Sequence, residues 1–255
     1  MRELLDAVAA GELSPADAEA RLRGYATTGA GRFDAARRER SGVPEAILAS
    51  EKTAADVAAL AATAIETTGR AIVTRADRDQ VAAVRDRLDA VAPAATLAHH
   101  PAARTLVAHA PTFDPPRLDA TVAIATGGTA DRGPATEASL IAREMGARIR
   151  LIEDVGVASL ARTVDAADRL RDADVVIVAA GREGALPTVI AGLIDSPVIG
   201  LPIAAGYGRG GEGEAALDGL LQSCTALSVV NVDAGFTAGV QAGLIARSID
   251  AARGA

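Results

Sequence analysis

Over the second half of the chain, short apolar runs alternate with segments whose apolar residues recur at helical spacing. Val175-Val176-Ile177-Val178 and Val198-Ile199-Gly200-Leu201 are too short for helices and are bounded by turn residues, which reads as buried parallel strands. The same pattern predicts strands over 121–125, 148–152, 174–179, 197–201 and 228–232, and helices over 135–145, 158–170, 187–194, 214–221 and 237–248. Strands and helices that alternate through short links make a parallel sheet with helices on both faces. The second half is therefore expected to be a doubly wound α/β domain of five strands.

The first half is less regular. Residues 2–23 read as two short helices, the second opened by Ser14 as N-cap, with Pro15 at its first position and Asp17 in its first turn. Residues 24–31 are expected to loosen the chain. Residues 33–48 are densely charged before an apolar end, the pattern of a solvated linker with a short edge strand at 46–48, unless the charges serve a ligand. Thr53 can cap a helix through about residue 67; a strand over 71–74, a helix over 77–88 and a strand over 104–108 follow, which together make a small α/β unit. His99, His100 and His109 flank the last strand without metal-ligand spacing and are expected in surface or loop roles. Three prolines between Pro111 and Arg117 suit neither a helix nor a sheet interior. The domain boundary is placed there, giving a small N-terminal α/β domain over 1–115 and the doubly wound domain over 116–255.

Composition narrows the function. At 255 residues and 49% hydrophobic content the chain can bury a substantial core. A formal net charge of −7, with 2% aromatic residues and no basic tract, argues against nucleic-acid binding. The single cysteine excludes an intrachain disulfide, the opening residues are amphipathic rather than a signal segment, and no apolar run reaches the length of a membrane span. A soluble cytoplasmic protein is expected, with no nucleic-acid or membrane partner.

The candidate chemistry clusters where strands end. Thr126-Gly127-Gly128-Thr129-Ala130-Asp131 follows the first strand of the second domain and leads into a helix, the arrangement of an anion site and equally of a plain tight turn. It is neither a Walker loop nor a full dinucleotide fingerprint. Asp131 could cap the helix, or face the ligand as a base or a magnesium-binding carboxylate. Gly181-Arg182-Glu183-Gly184-Ala185-Leu186-Pro187 and Gly206-Tyr207-Gly208-Arg209-Gly210-Gly211 follow the third and fourth strands, at the edge where open α/β sheets bind ligands. Glu183 is either a solvated loop carboxylate or, held in that crevice, an acid or base. Cys224, between a helix and the last strand, is either a small buried hydrophobe or a nucleophile near the same sheet edge.

Taken together these residues resemble the LarB family, pyridinium-3,5-biscarboxylic acid mononucleotide synthases that open the biosynthesis of the nickel-pincer nucleotide cofactor. The resemblance rests on Phe33-Asp34, Arg37, Arg40-Ser41-Gly42-Val43-Pro44-Glu45, Glu51-Lys52-Thr53, Gly128-Thr129-Ala130-Asp131, Gly181 to Pro187, Pro197-Val198-Ile199, Gly206-Tyr207-Gly208, Ser223-Cys224 and Val230 to Phe236. It departs from the family at Ala130, where Ser is usual, and at Arg132-Gly133-Pro134, where Leu-Pro-Val is usual. The second half also looks like the flavodoxin-like fold of aminoimidazole ribonucleotide carboxylases and mutases, but Ala185 stands where those purine enzymes carry a His before Leu-Pro.

The resemblance implies carboxylation of the pyridinium ring of nicotinic acid adenine dinucleotide by carbon dioxide or bicarbonate, with cleavage of the phosphoanhydride to release AMP. It implies Cys224 as nucleophile and Glu183, then Asp131, as base. The phosphates would lie over Gly127, Gly128 and Thr129, with Gly184, and over Gly206, Tyr207 and Gly208, with Mg²⁺ as charge neutraliser and metal ligands unknown. Arg37, Arg40 and Lys52 would hold the nicotinate carboxylate or phosphates, and the assembly would be a homo-octamer. The competing readings are a purine carboxylase or mutase, and a non-catalytic dinucleotide-binding regulator.

Overall fold

A computed structural model describes residues 2–254, with the side chains at positions 3, 16 and 17 outside the description. The first-turn role expected of Asp17 lies among these. The chain divides into two compact units, at Asp114 and Pro115.

In the first unit, helices α1 (Arg2–Ala9) and α2 (Pro15–Leu22) precede an antiparallel hairpin, β1 (Tyr25–Thr28) and β2 (Gly31–Asp34). That hairpin corrects the expectation of a loosened stretch: Gly29-Ala30 makes a two-residue turn, and Thr28 Oγ1 accepts the Ala30 N–H while donating to Gly31 O. The charged segment expected as linker is also ordered, with a short helix α3 (Arg37–Ser41) and an edge strand β3 (Ile47–Leu48). Helix α4 (Ala54–Thr68) starts where Thr53 accepts the Asp56 N–H at 3.2 Å. Strand β4 (Arg70–Thr74) and helix α5 (Arg78–Val91) follow, the latter opened by a reciprocal Asp77–Gln80 capping box. Strands β5 (Thr96–His100) and β6 (Thr105–His109) complete a four-stranded mixed sheet in the order β3-β4-β6-β5. His99 and His100 thus sit on an edge strand rather than in a loop, and His109 stacks on Phe113 with centroids 4.8 Å apart. Val57, Ala61 and Ile65 of α4 pack with Val73, Leu106 and Phe33 into this unit's core.

The second unit alternates throughout: β7 (Thr121–Thr126), α6 (Arg132–Glu144), β8 (Arg148–Ile152), α7 (Leu160–Leu170), β9 (Val175–Ala180), α8 (Ala185–Ala191), β10 (Val198–Pro202), α9 (Glu214–Leu221), β11 (Ser228–Val229) and α10 (Gly235–Arg253). All four strand pairs are parallel, in the order β11-β10-β9-β7-β8, which is the doubly wound, flavodoxin-like order expected. Alternate residues of the central strands feed two cores. Val122, Ile124, Ile177 and Leu201 face Ala138, Ala142, Ala238 and Ala242, while Ala123, Val176 and Val178 face Ala166, Leu170, Leu186 and Ile190. Ala-rich helices therefore lie close to both faces. The closest approach is between helices: a Cβ on Gly235, Gly239 or Gly243 of α10 would come within 2.3 to 2.6 Å of Pro134 O, Ala138 O or the Met145 sulfur of α6 or its C-cap.

Candidate active site at the sheet switch point

From β7 the chain crosses through α6 to β8 on one side; from β9 it crosses through α8 to β10 on the other. The strand order reverses between β7 and β9, and there the loops at their carboxyl ends diverge and leave a crevice. The cavity has a volume of about 430 Å³, with Gly128, Asp131, Gly181, Glu183, Ala185 and Tyr207 among the residues that line it. Backbone bonds tie its walls together: Gly156 N donates to Gly127 O at 3.1 Å, and Arg182 N to Ala205 O at 3.0 Å. A larger open cleft of about 780 Å³ in the first unit, beside Tyr25 and Glu66, is lined by none of the candidate residues.

Asp131 ends a short 3₁₀ turn, Thr129–Asp131, at the start of α6 and is only 5% exposed. Its side chain does not cap α6. Instead Oδ2 accepts the Gly128 N–H at 2.7 Å. Burial raises the carboxyl pKa; the amides of Gly128, Gly127 and Gly181 oppose the rise, and the charge of Asp233 adds to it. A desolvated carboxyl beside a ligand crevice is placed to act as an acid or base. At the glycine pair expected to cradle phosphate, the Gly127 N–H donates to Ala179 O at 3.1 Å and the Gly128 N–H to Asp131 Oδ2.

The loop after β9 is fixed by its glycines. Gly184 adopts φ +67°, and a Cβ there would meet Ala216 O at 2.6 Å, so any other residue is both strained and blocked. Between Gly181 and Gly184, Glu183 lines the crevice but is exposed, and Arg182 adopts φ 56°. Ala185 opens α8 and offers only a methyl group to the crevice. Across the mouth, the Arg182 guanidinium lies 4.6 Å from the Tyr207 ring centroid. Among the described residues, the amides of Gly206, Tyr207 and Gly208 donate no hydrogen bond within the chain. Thr129 lines the same cavity.

Cys224 is not in this constellation. Its thiol is exposed in the link between α9 and β11, the side where β11 begins, whereas the crevice opens where the parallel strands end. Ser223 and Thr225 anchor the link outside α8: Thr188 Oγ1 donates to Ser223 Oγ at 2.9 Å, and Thr225 Oγ1 to Thr188 O at 3.2 Å. The expected nearness to the same sheet edge is corrected, because α9 runs back along the sheet before the cysteine is reached. The three candidate basic residues of the first unit are also engaged locally. Arg37 pairs with Glu45 at 2.8 Å, Arg40 forks onto Asp34, and Lys52 Nζ donates to Leu48 O at 2.8 Å. The matched Asp34, Arg37, Arg40 and Glu45 thus hold one another.

Two residues at this edge carry geometry to which the sequence reading gave no role. Asp233 has φ 52°, accepts the Ala204 N–H at 3.1 Å and faces Asp131 electrostatically; its position just after the last strand was the available signal. Arg182 was hidden by the glycines and the acid around it. Among the described residues no three His, Cys, Asp or Glu side chains gather where they could hold a metal ion. Among the described residues no helix is long and apolar enough to cross a membrane.

Comparison with known proteins places these features. Residues 25–110 match the family described as LarB/PurE-like N-terminal domain, and residues 121–254 match AIR carboxylase. An uncharacterized protein of Methanocaldococcus jannaschii is 45% identical over 129 residues, 49% of this chain and 49% of the relative, so the match spans about half of that protein's length. Among solved structures, a β-glucosidase from Listeria innocua in complex with isofagomine covers 68% of this chain and 26% of its own at 13% identity, and its TM-score of 0.34 carries no argument. With its match spanning more than half of the length, the chain belongs to the AIR carboxylase family, and a LarB/PurE-like N-terminal domain precedes that match, the tandem that the resemblance to LarB proteins implied.

Proposed function

We propose that the protein carboxylates the pyridinium ring of nicotinic acid adenine dinucleotide and hydrolyses its phosphoanhydride, releasing AMP and pyridinium-3,5-biscarboxylic acid mononucleotide. The tandem of LarB/PurE-like and AIR carboxylase domains carries this reading. Ala185 at the crevice favours it over the purine reaction, since no imidazole stands there to move a proton.

The chemistry needs a nucleophile because a pyridinium carbon is too electron-poor to attack carbon dioxide. A thiolate that adds to the ring forms a C–S bond and leaves an enamine whose neighbouring carbon attacks carbon dioxide. A base then removes the proton at that carbon, the C–S electron pair returns to sulfur, and the ring is aromatic again. One carbon dioxide is consumed and one proton released; water supplies the atoms for anhydride cleavage. Burial makes Asp131 a stronger base than an ordinary carboxylate and favours it over exposed Glu183 for the proton. Because Cys224 lies away from its own crevice, the thiol in this scheme comes from a second copy in a homo-oligomer. Mg²⁺ belongs to the proposal only as an ion arriving with the dinucleotide's phosphates.

The test is to incubate the protein with nicotinic acid adenine dinucleotide, bicarbonate and Mg²⁺ and to follow products by mass spectrometry. A biscarboxylated mononucleotide plus AMP from the wild type, and neither from Cys224→Ala, is the expected result. Equal turnover by the variant would remove the covalent step, and no turnover by the wild type would remove the substrate.

A further inference from the structure

Two residues on the rim of the crevice have no part in the carboxylation chemistry, yet their arrangement is specific. Arg182 and Tyr207 come from different loops, after β9 and β10, and meet with the guanidinium 4.6 Å from the ring centroid. The contact is set by the backbone. Arg182 holds a left-handed φ of 56°, sparsely populated for residues with a Cβ, and its N–H is bonded to Ala205 O, two residues before Tyr207. One face of the phenol ring carries the guanidinium, yet Tyr207 as a whole is 80% exposed. A tyrosine this exposed beside a cavity leaves a large flat apolar surface in water. The neighbouring amides of Gly206, Tyr207 and Gly208 make no hydrogen bond within the chain among the described residues, so the same rim offers N–H donors next to a fixed positive charge.

We propose that Arg182 and Tyr207 form a nucleotide clamp at the mouth of the crevice: the guanidinium takes a phosphoryl group and the uncovered face of the phenol ring stacks on the base of the same nucleotide. This rests on the dinucleotide reading for its choice of ligand. A guanidinium fork matches phosphate oxygens and repels a pyridinium, so the clamp selects the phosphate and nucleobase end of the substrate and leaves the cationic ring for the interior beside Asp131. The stacking partner is already polarised: hydrogen bonding to Arg182, and then its charge, hold the phenol below the ordinary tyrosine range.

The chain's only tyrosines are Tyr25 and Tyr207 and it has no tryptophan, so protein labelled with 3-fluorotyrosine gives two fluorine resonances, and Tyr207→Phe assigns one of them. Titration with AMP is expected to shift the Tyr207 signal, and adenosine or inorganic phosphate alone to shift it only at much higher concentration. Arg182→Gln is expected to weaken AMP binding by about tenfold or more, while Arg209→Gln, an equal loss of charge on the exposed loop that carries Tyr207, leaves it within about twofold. Tyr207→Ala is expected to weaken AMP but not inorganic phosphate. If saturating AMP moves neither resonance, or if the Arg182 and Arg209 variants bind alike, the clamp is wrong. Arg182-dependent AMP binding without turnover of the dinucleotide would leave the clamp standing and remove the reaction; turnover with an unchanged KM in Arg182→Gln would do the opposite.

Discussion

Asp131 concentrates the chemistry of the crevice in one side chain, and its cost to the fold can be measured separately from its use. Its folded carboxyl keeps a proton to higher pH than it would in the unfolded chain. Between the unfolded value of about 3.9 and the raised folded one, the native state binds more protons, so stability falls as pH climbs through that window. Asn keeps an acceptor for the Gly128 N–H and removes the buried charge. Asp131→Asn is therefore expected to melt above the wild type at pH 7, with the gap closing below the ordinary carboxylate range, while turnover drops by about 100-fold or more. A variant that melts lower at neutral pH would show that the carboxylate is not strained. At this scale the sequence revealed which residues crowd the strand ends, because Gly127 to Asp131 and Gly181 to Ala185 are bounded by readable strands. It could not reveal that the Gly127 amide is bonded to Ala179 O, or that Arg182 crosses to Tyr207, since both depend on contacts between segments distant in the chain.

The elements of the second domain were legible because each central strand is buried on both faces and so is apolar without interruption, as in Val175 to Ala180. The first domain hid its hairpin, since Gly31-Arg32-Phe33-Asp34 has one inward residue, Phe33, and otherwise reads as a charged coil. The whole of β5 was hidden likewise, an edge strand that tolerates His99 and His100. The helix bounds shifted for a packing reason: α10 begins at Gly235 and runs to Arg253 because its glycines lie on α6 rather than breaking the helix. In an open helix interior, Gly to Ala gains about 0.5–1 kcal/mol. At Gly239 a Cβ would sit 2.5 Å from Ala138 O and 2.8 Å from the Ile141 Cβ, so Gly239→Ala is expected to lose about 1–3 kcal/mol instead. Thermal or urea unfolding decides the sign, and a rise in stability would mean that α10 and α6 do not approach so closely.

For the whole molecule, the position of Cys224 decides how many chains make one active site. Helix α9 carries the chain from the crevice edge back along the sheet, and Ser223 and Thr225 fasten the cysteine link to Thr188, so the thiol cannot swing into its own crevice without breaking those bonds. It is exposed, and Leu221 just before it is 62% exposed, a surface on which a symmetric neighbour can seat. If each site joins Asp131 of one copy to Cys224 of another, Asp131→Asn and Cys224→Ala are each inactive alone but complementary together. Oligomers co-expressed from equal amounts of the two variants would hold, by random mixing, about one quarter of their sites with both groups intact, and about one quarter of wild-type turnover is expected. A site built within a single chain predicts none, because every chain then lacks one group. Turnover of co-purified mixed oligomers, compared with each variant alone, separates the two. Restoration would make the oligomer part of the catalytic machinery rather than a means of stability, while no restoration would return the search for the nucleophile to the residues of the crevice itself.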